Sequence, residues 1–250
     1  MSGLSYICEY GDEESQSEES DKENPDTLKK LKLPTPNLNG VSVVANEDHI
    51  DEPSSHGGRV RAFPHVRGNW ATFVYFEYPD KENLSEITNK LATLLSPIDE
   101  SCMCEDFHIS LSKTFVLRYH MIKSFTESLQ ETLNTTESFE LGFDSVEVYC
   151  NEEKTRTFIA LRVDPLSHKF LLNISTKIDE ILNEYRLPKF YKKPSYHMSI
   201  FSIIGNKKEE VSPIIDNFNK IHFKENLPEN LYINNIKVKS GNKYYRFCLV

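Results

Sequence analysis

Two stretches of this chain, residues 107–111 (FHISL) and 196–200 (YHMSI), share one pattern in which a histidine and a serine alternate with apolar residues. Side chains on a β-strand point alternately to its two faces. Each stretch therefore predicts a strand whose histidine and serine share one face, while its apolar residues share the other and pack into a core. The repetition of the pattern predicts two related strands in one fold.

The polar faces of these strands predict a site for phosphate chemistry if the fold brings them together across a cleft. Imidazoles exchange protons near neutral pH, and hydroxyls donate hydrogen bonds to anionic oxygens. His108 and His197 are therefore candidate catalytic acids or bases, and Ser110 and Ser199 are candidate donors to phosphate oxygens. We favour His197 as the base, although the sequence leaves the two roles open. Short patterns also arise by chance, so histidines that only pack on ordinary strands are the alternative interpretation.

Acidic charge is concentrated at the start of the chain. Of its 38 acidic and 29 basic residues, 13 acids but only four lysines lie in residues 1–55, so residues 56–250 carry no net charge. This composition predicts a disordered acidic tail over residues 1–55. Binding along a long nucleic acid usually requires a broad basic excess, so the neutral remainder favours contact with a short end.

Several other classes of protein are disfavoured by the sequence. No run approaches the roughly 18 apolar residues of a membrane span, and the acidic start does not resemble a secretion signal, so we expect an intracellular protein with no membrane contact. The five cysteines have no C-x-x-C spacing, and no glycine-rich phosphate loop occurs. We therefore expect neither a bound metal nor a cofactor.

Residues 56–250 alternate between strand and helix patterns. Strands are expected at 71–78, 106–117, 139–149, 156–163, 196–203, 232–239 and 243–250, and helices at 84–95, 119–133, 165–185 and 209–218. The order strand, helix, motif strand, helix repeats, which predicts an α+β fold of two pseudo-symmetric lobes, at about 59–150 and 151–250. Each lobe is expected to be a mainly antiparallel sheet with outer helices, and the two lobes to line a shared central groove.

Four separated blocks of the sequence resemble one known family. They are residues 58–74 (GRVRAFPHVRGNWATFV), 151–161 (NEEKTRTFIAL), 190–199 (FYKKPSYHMS) and 239–245 (KSGNKYY). With the paired His-x-Ser strands they resemble the U6 small nuclear RNA phosphodiesterases of the 2H phosphoesterase superfamily. The resemblance covers residues 59–250 and leaves the first 55 residues unassigned.

This resemblance implies a nuclear, metal-independent 3′-to-5′ exoribonuclease that trims the oligouridine tail of U6 RNA. Members of the family leave a 2′,3′-cyclic phosphate, which some open to a monophosphate. The implied partner is an RNA 3′ end, and we expect a monomer, with no protein partner indicated.

The resemblance also suggests substrate-binding residues. The tyrosine that matches Tyr191 stacks on a nucleobase, and Glu152 stands where relatives carry a glutamine near the bound nucleotide. An ionised carboxylate accepts hydrogen bonds but donates none, which places that contact in doubt. Apart from the resemblance, Ser195 is expected to orient the second motif or to bind phosphate, and use of its hydroxyl in a cap or turn is the alternative. The remaining candidates for substrate contact lie within the motifs, namely Ile109, Tyr196 and Met198.

Two rival functions remain open from the sequence. A 2H enzyme acting on cyclic nucleotides or on tRNA-splicing ends would keep the same two histidines. A non-catalytic module that binds RNA ends would use Tyr191 and the histidines only as ligands.

Overall fold

The computed structural model describes residues 66–79, 82–98, 101–225 and 228–250. The acidic tail expected over residues 1–55 lies outside these ranges. Within them the chain forms four α-helices, α1 Ser85–Leu95, α2 Tyr119–Leu133, α3 Pro165–Glu184 and α4 Lys208–Ile221. It also forms eleven strands, β1 Asn69–Glu77, β2 Cys102–Met103, β3 His108–Ser110, β4 Phe115–Arg118, β5 Phe139–Leu141, β6 Phe143–Cys150, β7 Arg156–Val163, β8 His197–Ile204, β9 Leu231–Ile233, β10 Asn235–Ser240 and β11 Lys243–Cys248.

Most of these elements lie where the periodicity places them, and the differences occur where a strand is interrupted. The first motif strand is divided into β3 and β4, because the Ser112 hydroxyl accepts the backbone N–H of Val74 and takes the chain out of the ladder. The strand expected at 139–149 is divided at Gly142, and its two parts join different sheets. The two-residue strand β2 has no periodicity to predict it.

Nine of the strands form one sheet, whose pairings are all antiparallel. Its main order is β11-β10-β1-β3-β8-β7-β6, with β4 beside β1 and β2 beside β8, while β5 and β9 form a separate pair. The expected α+β class with antiparallel strands is confirmed. Strand pairing in the sheet does not follow the two halves of the sequence. Strand β6 from the first half lies beside β7 and β8 of the second half, whereas β10 and β11 from the second half lie beside β1 of the first.

One face of the sheet carries the hydrophobic core. Alternate residues of the central strands are fully or almost fully buried there, including Val74, Phe76, Ile109, Leu161, Met198 and Val238. The helices contribute their own apolar stripes to the same core, such as Phe125 of α2 and Ile178 of α3. Helix α3 begins at Pro165 because the Asp164 carboxylate accepts the N–H groups of the first turn. No helix in the described ranges has the length and apolar character needed to span a bilayer.

The hairpin between β10 and β11 is built around Gly241. This residue adopts a φ of +56°, and its N–H donates to the carbonyl of Ala71 on β1. A Cβ placed on Gly241 would lie 2.6 Å from the ring of Trp70. The turn therefore needs glycine both for its backbone conformation and for its packing.

The variant Gly241→Ala is expected to lower the free energy of unfolding by about 1–3 kcal/mol, because it combines left-handed strain with a clash against Trp70. Urea denaturation measures the change. Gly205→Ala is the matched control, since Gly205 has a φ of +82° but no atom within 4 Å of the added methyl group. Equal losses in the two variants would contradict a packing role for Trp70.

Candidate active site

The two motif strands are direct neighbours in the sheet, and their register is antiparallel with Ile109 opposite Met198. This register places His108 across from Ser199 and Ser110 across from His197. Residues directly opposite one another lie about 5 Å apart at their Cβ atoms, and diagonal ones about 7–8 Å apart. The two histidines, which occupy one diagonal, are thus close enough to act on one small group.

All four polar side chains lie on the face of the sheet opposite the core. His108, Ser110, His197 and Ser199 are each half-buried on this face. The apolar residues between them point the other way, as strand alternation requires. The sequence-based expectation of one shared polar face is therefore the arrangement that the fold presents.

The same alternation limits three of the expected substrate contacts to the backbone. The side chains of Ile109, Tyr196 and Met198 are exposed by only 1%, 2% and 0%, and the Tyr196 hydroxyl hydrogen-bonds to Ser175 of α3. These side chains belong to the core, so they cannot contact a ligand on the opposite face. Their role is to pack the motif strands.

Both imidazoles are held by backbone carbonyls two residues earlier in the chain. His108 Nδ1 lies 3.1 Å from the carbonyl oxygen of Asp106, and His197 Nδ1 lies 2.7 Å from that of Ser195. A carbonyl only accepts hydrogen bonds, so Nδ1 carries the proton in each ring. Proton exchange with a substrate then falls to Nε2.

A tyrosine covers the His197 ring. Tyr149 of β6 stacks on it with centroids 3.9 Å apart and an angle of 15° between the planes. The Tyr149 hydroxyl lies 2.9 Å from that of Ser195, whose carbonyl holds the same imidazole. Because β7 separates β6 from β8 in the sheet, this contact requires the polar face to be concave. The residues of the motif therefore line a groove.

His108 also lies beside aromatic rings, which come from β1. Tyr75 meets it edge-on at 5.6 Å between centroids, and Phe73 lies at 5.9 Å. Burial raises the pKa of Tyr75 and that of Tyr149 to about 12, so both phenols keep their protons at neutral pH. Each histidine thus has an aromatic neighbour that limits its access to water.

The pKa of His197 is lowered from its ordinary value of 6.5. The largest cause is burial, which disfavours the charged imidazolium, and repulsion from His108 acts in the same direction. The Ser195 carbonyl and the charge of Glu147 oppose the shift. His197 is therefore mostly neutral at pH 7, which is the state required of a general base.

The hydroxyls of Ser110 and Ser199 make no hydrogen bond to any other residue in the described part of the chain. Both are half-buried beside the imidazoles, on the side where a ligand would lie. A hydroxyl can turn its O–H toward an anionic oxygen without breaking another bond. The two serines can therefore donate to a phosphate between the histidines.

A charged network supports the β7 side of the groove. Arg162 lies opposite His197 in the sheet, and its guanidinium binds the carboxylate of Asp144 through two hydrogen bonds of 2.8 Å. Its remaining nitrogen binds Glu147 at 2.5 Å. Because one guanidinium faces two carboxylates, the network keeps one net negative charge, and the charge of Glu147 acts to raise the pKa of His197.

Tyr191 lies at the rim of the groove, in the loop that enters β8. Its ring is 46% exposed, and the Lys113 ammonium lies 4.2 Å from the ring centroid. The same lysine binds the Glu152 carboxylate at 3.0 Å. Helix α3 holds the loop through His168, whose Nε2 contacts the carbonyl of Pro194. Two predicted residues, Tyr191 and Glu152, are thus brought together by a lysine that the sequence analysis did not select.

Sequence reasoning missed the aromatic neighbours of the histidines as well. Tyr149 and Glu147 are two positions apart on β6, so their side chains point to the same face of the sheet. The buried Val148 between them points to the other face. Nothing in the sequence shows that this polar side faces His197, which is 48 positions away. The contacts of Lys113 with Glu152 and Tyr191 are not predicted from the sequence, because the first motif strand is expected to continue through residue 113.

No group of three or more histidine, cysteine, aspartate or glutamate side chains in the described residues is arranged to hold a metal ion. The chemistry available at the groove is that of two imidazoles, two hydroxyls and the surrounding phenols.

The stacked tyrosine predicts how the pKa of His197 responds to mutation. In Tyr149→Ala, water regains access to the imidazole, so its pKa should rise toward 6.5, as measured by NMR titration of the ring protons. Tyr232→Ala, which removes an exposed tyrosine on β9, is the control and should leave the titration unchanged. An unshifted or lowered pKa in Tyr149→Ala would show that the ring does not limit hydration.

Comparison with known proteins agrees with this geometry. The HVSL family model, described as an uncharacterised conserved protein, matches residues 31–248. U6 snRNA phosphodiesterase 1 of Drosophila melanogaster is 36% identical over 211 residues, which are 81% of this chain and 79% of the relative. The Xenopus laevis protein of the same name is 33% identical over an alignment of 264 positions, which covers 100% of this chain and 99% of the relative.

The fold also matches solved structures. Kluyveromyces marxianus Usb1 with uridine monophosphate superposes with a TM-score of 0.56 at 11% identity, over 72% of this chain and 98% of that one. At this identity the match shows the fold alone, whereas the sequence relatives confirm the resemblance found in the four blocks. The chain therefore belongs to the HVSL family, and it belongs to one family with the U6 snRNA phosphodiesterase 1 proteins of fly and frog.

Proposed function

We propose that this protein is a phosphodiesterase that removes nucleotides one at a time from the oligouridine 3′ tail of U6 small nuclear RNA. The observation that carries the proposal is the register of Ile109 with Met198, which presents two histidines and two serines to one groove. The choice of U6 RNA as the substrate follows from the sequence relatives, which are U6 snRNA phosphodiesterase 1 proteins. A cleavage catalysed by two imidazoles as base and acid needs no external nucleophile, because RNA provides its own 2′-hydroxyl.

The first step is an internal transfer of the phosphoryl group. His197 Nε2 takes the proton from the 2′-OH of the penultimate ribose, and the 2′-oxygen bonds to the adjacent phosphorus. The bond between phosphorus and the 5′-oxygen of the terminal nucleotide breaks, and His108 Nε2 donates a proton to that oxygen. The products are a terminal nucleoside and a shortened RNA with a 2′,3′-cyclic phosphate. The lowered pKa of His197 suits it to the role of base.

Negative charge grows on the non-bridging phosphate oxygens during this transfer. Ser110 and Ser199 lie beside the histidines with hydroxyls that no described residue occupies, so both can donate to those oxygens. Donors that are already in place stabilise such charge without reorganisation.

The nucleotide that is retained fits on the His197 side of the groove. Tyr191 lies there in the loop that enters β8 and offers an exposed ring for stacking. Stacking on an aromatic ring contributes about 1–3 kcal/mol per base and accepts different bases. Discrimination for uridine then requires contacts to the base edge, for which Glu152 can accept but not donate while it is ionised.

After the first step the protonation states of the histidines are exchanged. Imidazolium at His197 and neutral His108 are the states needed for water to open the cyclic phosphate, with His108 as base and His197 as acid. We assign this second step to the same groove.

The proposed substrate also sets the expected cellular context. U6 is a nuclear RNA, so we place the protein in the nucleus. Both histidines come from one chain, so a monomer contains the complete groove.

Removal of either histidine is expected to reduce cleavage of a 3′-uridylated RNA by about 10²- to 10⁴-fold, because each imidazole moves a proton in the rate-limiting transfer. The measurement is end-group analysis of the products in EDTA, with wild type beside His108→Ala and His197→Ala. His120→Ala, which removes an exposed histidine from α2, is the matched control and should retain full activity.

The same assay separates the rival functions. Turnover of small cyclic nucleotides without shortening of the RNA would replace the exonuclease by a cyclic phosphodiesterase. Binding of the RNA without any product would indicate a binding module, and full activity in both histidine variants would exclude the proposed mechanism.

The pH dependence of kcat/KM follows from the lowered pKa of His197. A base is active when neutral, so activity should persist as the pH falls below 6.5 and decline only when the pH passes the lowered pKa. On the alkaline side activity should decline as His108 loses its proton, which gives a bell-shaped profile. An acid limb centred at or above 6.5 would contradict the assignment of His197 as base.

A further inference from the structure

The polar face of the sheet continues past His108 onto β1 and the C-terminal hairpin. Phe73 of β1 lies opposite Lys239 of β10, which in turn lies opposite Tyr244 of β11. By strand alternation these three side chains point to the same face of the sheet as Tyr75, which pairs directly with Ser110. They form a row, defined here as the Phe73 row, that leads away from the histidines on the side opposite Tyr149.

Phe73 is placed where packing alone does not account for it. Its neighbours on β1, Thr72 and Val74, are fully buried in the core, whereas Phe73 is half-buried on the open face. Tyr75 supports its ring at 5.0 Å between centroids, with an angle of 33° between the planes. The result is a half-buried aromatic ring that Tyr75 supports and whose centroid lies 5.9 Å from that of the His108 ring.

The rest of the row is suited to a charged and partly aromatic ligand. The Lys239 ammonium lies 5.3 Å from the Tyr244 ring centroid, and no carboxylate in the described ranges forms an ion pair with it. Its neighbour Lys237 is bound instead to Glu77. Lys239 therefore provides positive charge next to Phe73, where it attracts a nucleic acid backbone.

The direction of the reaction decides which nucleotide lies there. His108 donates its proton to the 5′-oxygen of the leaving nucleotide, so that nucleotide must be attached at the His108 side. The retained nucleotide lies at the His197 side, near Tyr191. We propose that the Phe73 row is the subsite of the leaving terminal nucleotide, with its base stacked on Phe73. This inference rests on the proposed function and on the assigned roles of the histidines.

A comparison of two ligands tests the subsite, since only one of them contains a leaving nucleotide. The first is an oligouridine substrate, followed by kcat/KM. The second is uridine 3′-monophosphate, which represents the product end after both steps and contains only the retained nucleotide, followed by its inhibition constant. In Phe73→Ala, kcat/KM should fall roughly 5- to 150-fold from the loss of stacking, while the inhibition constant of the product should change less than about 2-fold.

Three further variants serve as controls. Phe73→Tyr keeps the aromatic face and should restore kcat/KM, whereas Phe73→Leu keeps an apolar side chain without that face and should not. Tyr191→Ala should weaken both ligands, because each contains the retained nucleotide. Phe73 is partly exposed, so these variants should keep the urea midpoint of the wild type, and a loss of stability equal to the loss of activity would overturn the proposal.

The possible failures are distinguishable. If the wild type does not shorten uridylated RNA, the proposed function fails and the subsite fails with it. If the wild type shortens the RNA but Phe73→Ala weakens the product as much as the substrate, the ring serves the retained nucleotide and the subsite alone is overturned. Unchanged kcat/KM in Phe73→Ala would also overturn it.

Discussion

The antiparallel pairing of β3 with β8 is the constraint on which the groove depends. A shift of this register by one residue would turn the histidines and serines of one strand into the core and expose its apolar residues. Strand β3 has only three residues, so its own pairing with β8 is weak support. Its register is also fixed from the other side, where Tyr75, Phe76 and Glu77 of β1 pair with it, and β1 is held in turn by β10. The site is therefore maintained by the whole sheet and by the core beneath it.

The two motifs use the same local device but meet different surroundings. In each, a backbone carbonyl two residues earlier fixes the Nδ1 proton and presents Nε2 for exchange. His197 is additionally covered by the face of Tyr149, whereas His108 meets Tyr75 by its edge. Two chemically identical side chains must differ in protonation to act as base and acid, and an environment that differs around a repeated motif supplies that difference.

The sequence predicts the parts of this site that depend on local periodicity. Alternation along the motifs shows that His108 and Ser110 share a face, and the same rule correctly places Ile109, Tyr196 and Met198 in the core. It does not predict contacts between distant strands. Tyr149 of β6 stacks on His197 of β8 across the intervening strand β7, and Lys113 binds Glu152, which is 39 positions away along the chain. Both depend on pairings of high sequence separation, for which a single sequence holds no signal.

Lys113, Glu152 and Tyr191 form a cluster at the rim of the groove. Their contacts show how a glutamate fits at position 152, where the resemblance implies a glutamine. A carboxylate in place of an amide would add an unpaired negative charge near a bound RNA, which is unfavourable. Lys113 removes this cost by binding Glu152, and the same ammonium lies over one face of Tyr191. That contact and the ring of Phe190, whose centroid lies 5.0 Å from that of Tyr191, hold the ring in place, while 46% of the Tyr191 surface stays exposed. Under the proposed function, Glu152 is therefore assigned the role of a positioning residue that acts on Tyr191 through Lys113, with no need for the donor that a glutamine would supply.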